Sequence, residues 1–181
     1  MFRYDGRHHQ RPSERTIWEI DNLVENGARY TQHFDHPPLP IRPKKGVVVL
    51  ACMDARLRIY GLLGLEEGDA HIIRNAGGVA SDDAIRSIIV SQRLLGTREI
   101  IIIHHTDCGM ETFTDSEMCD AIEADTGLRP EFPFESFPDS RDDVTTTKNR
   151  LAANPFIPHR DQIRGFIFDI ATGELLEVND S

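Results

Sequence analysis

Two short blocks of mostly β-branched residues constrain this chain most. Val47-Val48-Val49-Leu50-Ala51 and Ile100-Ile101-Ile102-Ile103 are apolar at every position, not at alternate ones. A strand apolar on both faces has to be covered on both faces. That is the condition of a buried parallel strand with helices above and below it. Neither block approaches the roughly 20 apolar residues needed to cross a bilayer. Each runs directly into chemically active residues. Cys52-Met53-Asp54-Ala55-Arg56 follows the first block, and His104-His105-Thr106-Asp107-Cys108 follows the second. In open α/β sheets, ligands bind just past the carboxyl ends of the strands.

Around these blocks the pattern alternates strand and helix. Strands are expected near 47–52, 70–74 and 99–104. A helix near 82–95 has Ser81 as its cap, Ile85, Ile88, Ile89 and Leu95 as core positions, and Gly96 as its stop. A shorter helical segment lies near 57–63. Thr114-x-x-Glu117 is a capping box, with Phe113 and Met118 placed as a hydrophobic staple, for a helix ending at Gly127. Another helix runs from about Asp139 to Ala153, and Pro155 ends it. Gly165–Ile170, the turn Ala171-Thr172-Gly173, and Leu175–Val178 make a terminal hairpin. Ahead of the first strand, Thr16-x-x-Glu19 opens an amphipathic helix to about Tyr30, with Ile17, Ile20, Leu23, Val24 and Ala28 at helical spacing. Phe34 to Pro43 holds four prolines and reads as an extended connector. The expected fold is α/β: a mostly parallel central sheet flanked by helices, with an N-terminal helical arm and a C-terminal hairpin. Residues 1–45 are expected as the arm and 46–181 as the α/β part of one domain. The arm is equally suited to a partner subunit and to its own core.

The charge pattern excludes several classes of partner. The net charge is −10, and residues 109–143 carry eleven Asp/Glu against Arg129 and Arg141, the pattern of a solvated helical surface. No basic stripe points to nucleic acid. No apolar run points to a membrane span, and from the polar start after Met1 no secretory leader is expected. Three cysteines are an odd number and argue against a disulfide framework, so reduced thiols and a cytoplasmic location are expected.

Cys52 ends one strand. His105 and Cys108 share a tight turn after another, where both can face one point. Two thiols and an imidazole are three soft or borderline ligands, and a catalytic zinc takes three protein ligands plus one open position. The spacing is not the Cys-x-x-Cys knuckle of a structural finger. One zinc per chain is expected on Cys52, His105 and Cys108. Two rivals stand beside it: a non-catalytic zinc protein, and a Cys52–Cys108 redox pair without metal. Residues alternate faces on a strand, so His104 should point away from the site. Cys119 reads as helix filler, and His8, His9, His33, His36, His71 and His159 have no partner pattern. Asp54 and Arg56 are spaced for a bidentate carboxylate–guanidinium pair, which would hold Asp54 off the metal. Arg74-Asn75-Ala76 leads into Gly77 and Gly78, which allow backbone to approach the site closely.

Cys52-x-Asp54-x-Arg56, Arg74-Asn75-Ala76-Gly77 and His105-x-x-Cys108-Gly109 together resemble the β-class carbonic anhydrases, over about residues 15–178. The run from Leu94 to Met110 is similar to the short branch of that family found in bacteria and archaea. That branch also holds hydrolases of carbonyl sulfide and carbon disulfide. The resemblance implies zinc on Cys52, His105 and Cys108, a catalytic Asp54–Arg56 dyad, and a dimer or higher homo-oligomer with sites near the subunit interface. It implies reversible hydration of carbon dioxide to bicarbonate by zinc-bound hydroxide. The alternative is hydrolysis of carbonyl sulfide or carbon disulfide by the same nucleophile. Gly77, Gly78 and Gly109 are then expected as backbone of the substrate pocket.

Overall fold

A computed structural model describes residues 18–35 and 37–179. By its internal contacts the chain divides after Leu39, inside the proline-rich connector, into two units. The first contains helix α1, Glu19–Gln32. It begins two residues later than the Thr16 capping box predicts, and Thr16 and Ile17 lie outside the described residues. The start is set instead by Asp21, whose carboxylate accepts the Trp18 N–H at 3.1 Å. None of the helix's residues is buried. Ile20, Leu23 and Val24 stand on one helical stripe and are all exposed.

The second unit is the α/β body. Its elements run β1 (Val47–Cys52), α2 (Ile59–Leu63), β2 (Ala70–Asn75), α3 (Asp82–Arg93), β3 (Glu99–His105), α4 (Asp115–Thr126), α5 (Ser140–Ala153), β4 (Ile163–Phe168) and β5 (Leu175–Val178). The five strands form one sheet in the order β2-β1-β3-β4-β5. The first four are parallel, and β5 returns antiparallel beside β4 as the expected hairpin. Register is set by apolar pairing: Val49 lies opposite Ile72 on one side and Ile101 on the other.

Strand alternation divides the two apolar blocks between two cores. Val48, Leu50, Ile100 and Ile102 pack with Ala84 and Ile88 of α3 and Leu151 of α5. Val49, Ala51 and Ile103 pack on the other face with Leu57, Ile59, Val79, Met110 and Phe137. Both faces of β1 and β3 are thus covered, as a run without polar residues requires.

Helix ends follow their capping chemistry. Ser81 accepts from the Ala84 N–H, and Thr114 and Glu117 form a reciprocal box. Gly127 ends α4 in the left-handed conformation. Asp139 caps α5 by accepting the N–H groups of Arg141 and Asp142. The fourth strand departs from expectation. It starts at Ile163, not Gly165, because Gly165 sits inside the strand where the side chain of Val144 occupies the space a Cβ would fill. It ends at Phe168 because the Asp169 carboxylate accepts the N–H groups of Ala171 and Thr172 and turns the chain.

Candidate metal centre

The centre is assembled by two loops, one after β1 and one after β3. These strands are adjacent and parallel, so both loops leave the same edge of the sheet. The sulfurs of Cys52 and Cys108 and a ring nitrogen of His105 all lie within 4.8 Å of one another, and all three residues are buried. His105 shares the sheet face of Ile101 and Ile103. Its Nδ1–H donates to the Thr106 carbonyl at 2.8 Å, which leaves Nε2 as the free lone pair. That Nε2 is buried and has no hydrogen-bond partner. Buried polar atoms are nearly always satisfied, so an orphaned ring nitrogen beside two sulfurs marks a place for a further group. His104 takes the opposite face, where its Nε2 meets Asp143 of α5 at 2.8 Å.

The electrostatics fit a cation. Cys108 donates its S–H to Cys52, which depresses the Cys52 thiol, and the same contact pushes the Cys108 thiol up. The pair therefore shares one proton that a divalent ion would replace. Burial acts to lower the pKa of His105, but the Cys52 sulfur, the Thr106 carbonyl and the Asp54 charge outweigh it and raise it. The packing around the two sulfurs is apolar, from Ala51, Leu57, Val79, Ile103, Met110 and Phe137. Two thiolates and an imidazole are ligands suited to zinc.

Asp54 stands beside this trio without belonging to it. Its Oδ2 is 3.8 Å from His105 Nε2. Both carboxylate oxygens are taken by Arg56: Nε donates to Oδ1 at 2.9 Å and Nη2 to Oδ2 at 2.8 Å. These hydrogen bonds hold the Asp54 carboxyl well below the usual carboxylate range. Gly77 and Gly78 have φ of 82° and 78°, in the left-handed region. A Cβ on Gly78 would meet the Cys52 backbone nitrogen at 2.8 Å, and one on Gly77 would meet the Phe137 ring at the same distance. The β2–α3 turn therefore presses directly on the first ligand loop. Gly109 opens a short 3-10 turn, Gly109–Glu111, and a Cβ there would meet nothing within 4 Å.

Comparison with known proteins follows the same residues. The family model for carbonic anhydrase matches residues 47–129, which contain both ligand loops. Beta-carbonic anhydrase 1 of Mycobacterium tuberculosis is 52% identical over 158 residues, covering 87% of this chain and 96% of that protein. The chain belongs to the β-carbonic anhydrase family. The solved structure of carbonic anhydrase from Streptococcus mutans superimposes with a TM-score of 0.85 at 39% identity, covering 91% of this chain and 99% of that one. A carbon disulfide hydrolase of Saccharolobus solfataricus is 36% identical over 70% of this chain and 74% of its own length. β-Carbonic anhydrases are zinc enzymes, and the Cys52-His105-Cys108 cluster is able to bind a metal.

The contacts that several residues make around this β-carbonic anhydrase centre carry no signal in the sequence. Arg74 of β2 donates to three carbonyls of the first ligand loop: Cys52, Asp54 and Leu57. Asp107 binds Arg56 through its carboxylate and its carbonyl. Glu111 accepts the N–H and O–H of Ser140, whose hydroxyl also reaches the His105 carbonyl. Each partner is 17 or more residues away in sequence. A groove of about 300 Å³ lies behind the first loop, lined by Leu57, Arg58, Ile59, Tyr60, Ile72 and Arg74, and the trio does not line it.

Proposed function

We propose that this chain catalyses the reversible hydration of carbon dioxide to bicarbonate and a proton, with one zinc ion held by Cys52, His105 and Cys108. The observation that carries this reading is the buried, unpartnered Nε2 of His105 facing two sulfurs. Bound there, zinc supplies Lewis acidity and brings the ionisation of a water from 15.7 to about 7. The protein's own groups do the rest. Asp54 stays ionised, so it only accepts hydrogen bonds, and it orients the lone pair of the attacking oxygen through that acceptance. Arg56 keeps both Asp54 oxygens engaged and so keeps the carboxylate from turning onto the trio. The Thr106 carbonyl fixes the His105 tautomer. The apolar surroundings of the sulfurs suit an uncharged substrate and disfavour retention of the charged product. Gly77 and Gly78 bring backbone to the rim of the site without side chains.

Stoichiometric zinc together with stopped-flow carbon dioxide hydration on one sample tests the proposal. Carbonyl sulfide and carbon disulfide are assayed alongside, because the carbon disulfide hydrolase relatives share the family. Turnover of a sulfur substrate far above that of carbon dioxide would keep the machinery and change the substrate. Absent zinc, with a thiol count that changes on oxidation, would assign Cys52 and Cys108 to redox chemistry. The free thiols suit a reducing compartment, and the cytoplasm is the proposed location. We further propose a two-fold homodimer as the smallest assembly, with the exposed stripe of α1 as a joining surface. Charged substitutions Leu23→Asp and Val24→Asp in the full chain are expected to lower its mass in sedimentation, and an unchanged mass counts against the arm's role.

A further inference from the structure

We infer that Asp107 is a positioning residue that locks Arg56 against Asp54 and so holds the centre open. This rests on the reading of the trio as a zinc site with Asp54 beside it.

Asp107 lies between His105 and Cys108, in the second ligand loop. Its backbone is left-handed, with φ 57°, one of two such non-glycine residues among those described. Asp, Asn and Gly enter that region most readily. Its side chain is 83% exposed, so packing does not explain it. What it does contact is Arg56. The carboxylate accepts from Nη1 at 2.8 Å, and the backbone carbonyl accepts from Nη2 at 3.1 Å. Arg56 belongs to the first ligand loop. The guanidinium therefore has Asp54 on one edge and Asp107 on the other, and it ties the two loops together across 51 positions of sequence.

The first anchor leaves the outer edge of Arg56 unheld. Asp54 is 19% exposed but Arg56 is 45% exposed, so water can compete for its guanidinium. If Arg56 let go, Asp54 Oδ2, already 3.8 Å from His105 Nε2, would be free to rotate onto the trio as a fourth ligand. Asp107 fixes the plane of the guanidinium from the opposite loop and thereby opposes that rotation. The left-handed backbone is what lets one residue offer both its carbonyl and its carboxylate to the same guanidinium.

The test uses D107G and D107N in the full chain. Glycine keeps the left-handed turn and the carbonyl but removes the carboxylate. Asparagine keeps the turn and a neutral acceptor. In D107G we expect wild-type zinc content and melting temperature, a kcat lower by about tenfold with KM little changed, and weaker azide binding by the cobalt-substituted protein. Proton exchange at Arg56 Nε–H, followed by NMR in the metal-free protein, is expected to accelerate by a similar factor. D107N should fall between wild type and D107G in both turnover and exchange. Wild-type turnover and exchange in D107G would overturn the inference. Zinc loss or early melting in D107G would overturn it too, since Asp107 would then serve only the turn. A drop in turnover without loosening of Arg56 has the same consequence. Failure of the underlying zinc reading shows separately, as wild-type protein without zinc or carbon dioxide turnover.

Discussion

His104 and His105 are neighbours on one strand, both completely buried, and they have opposite surroundings. The ring of His104 turns toward α5, where Asp143 accepts from it and Phe137 lies 5.5 Å away between centroids. The ring of His105 turns toward two sulfurs and keeps an unpartnered nitrogen. The residue type is the same and the burial is the same. What separates them is the two-residue period of a strand, which sends consecutive side chains to opposite faces. A satisfied histidine holds the fold together. An unsatisfied one, placed among soft donors, is able to bind a metal.

The sharpest way to break this comparison is to remove each ring in turn. His105→Asn takes one of three donors from the trio. We expect zinc content to fall near zero in metal analysis, and carbon dioxide turnover with it. Cys108→Ser should do the same, whereas Cys119→Ser, on α4 away from the trio, should keep full zinc. Equal zinc retention in the Cys108 and Cys119 variants would end the ligand assignment.

Next in size are the groups beside the trio. Asp54→Asn and Arg56→Ala are each expected to keep zinc and lose turnover by roughly 10²–10⁴-fold, the usual scale for a positioned acid–base group. Stopped-flow kinetics on metal-verified samples measures this. Near-wild-type hydration in either variant would remove the dyad from the mechanism.

His104 completes the comparison from the other side. His104→Leu keeps volume in the core but leaves Asp143 with only the longer hydrogen bond from the Thr147 hydroxyl, at 3.4 Å. Losing the shorter hydrogen bond of a partly buried acceptor costs about 1–3 kcal/mol, and in a chain of this size each kcal/mol lowers Tm by about 2–4 °C. Calorimetry should therefore show a drop of several degrees with unchanged zinc content. Zinc loss in this variant would mean that the two faces of β3 are not independent.

The same period explains how much was legible beforehand. Cys52, His105 and Cys108 stand next to unbroken apolar blocks, so the strands, the shared edge and the converging donors could all be deduced locally. The capping signatures at Ser81 and Thr114 were equally local, and both operate as read. What failed was whatever depends on a distant partner. Gly165 reads as a strand start until Val144 of α5 is placed against it. Arg74 belongs to a segment that carries the resemblance, but its role stays hidden until the first ligand loop folds beneath its guanidinium. Asp107 reads as a turn residue until Arg56 arrives from 51 positions away. The acidic block from 109 to 143 reads as solvated surface, and α4 indeed buries nothing. Yet Glu111, Asp115 and Asp143 from that block are used as internal acceptors.

Asp115 and Asp120 repeat the histidine contrast among carboxylates, with the smallest expected effect. Both are on α4. Asp120 is exposed and pairs with Arg129. Asp115 accepts the N–H groups of Phe134 at 2.9 Å, Glu135 at 3.1 Å and Ser136 at 2.9 Å, and the Ser136 hydroxyl at 2.6 Å. Burial acts to raise its pKa, but the hydrogen bonds from Ser136, Glu135 and Phe134 outweigh it and hold the carboxyl below its ordinary range. A depressed folded pKa gives stability that is fully present above the unfolded value, near 3.9, and is lost as pH falls through the lower folded value. Asp115→Asn turns an amide NH₂ toward those donors. It is expected to cost about 2 kcal/mol at pH 7, whereas Asp120→Asn should stay within about 0.5 kcal/mol of wild type. The deficit of Asp115→Asn should then shrink below about pH 4, where the wild-type carboxylate is itself being protonated. Thermal melts of the three proteins from pH 7 down to pH 3 measure both expectations. A deficit that stays constant across this window would show that Asp115 acts through shape and not through its charge.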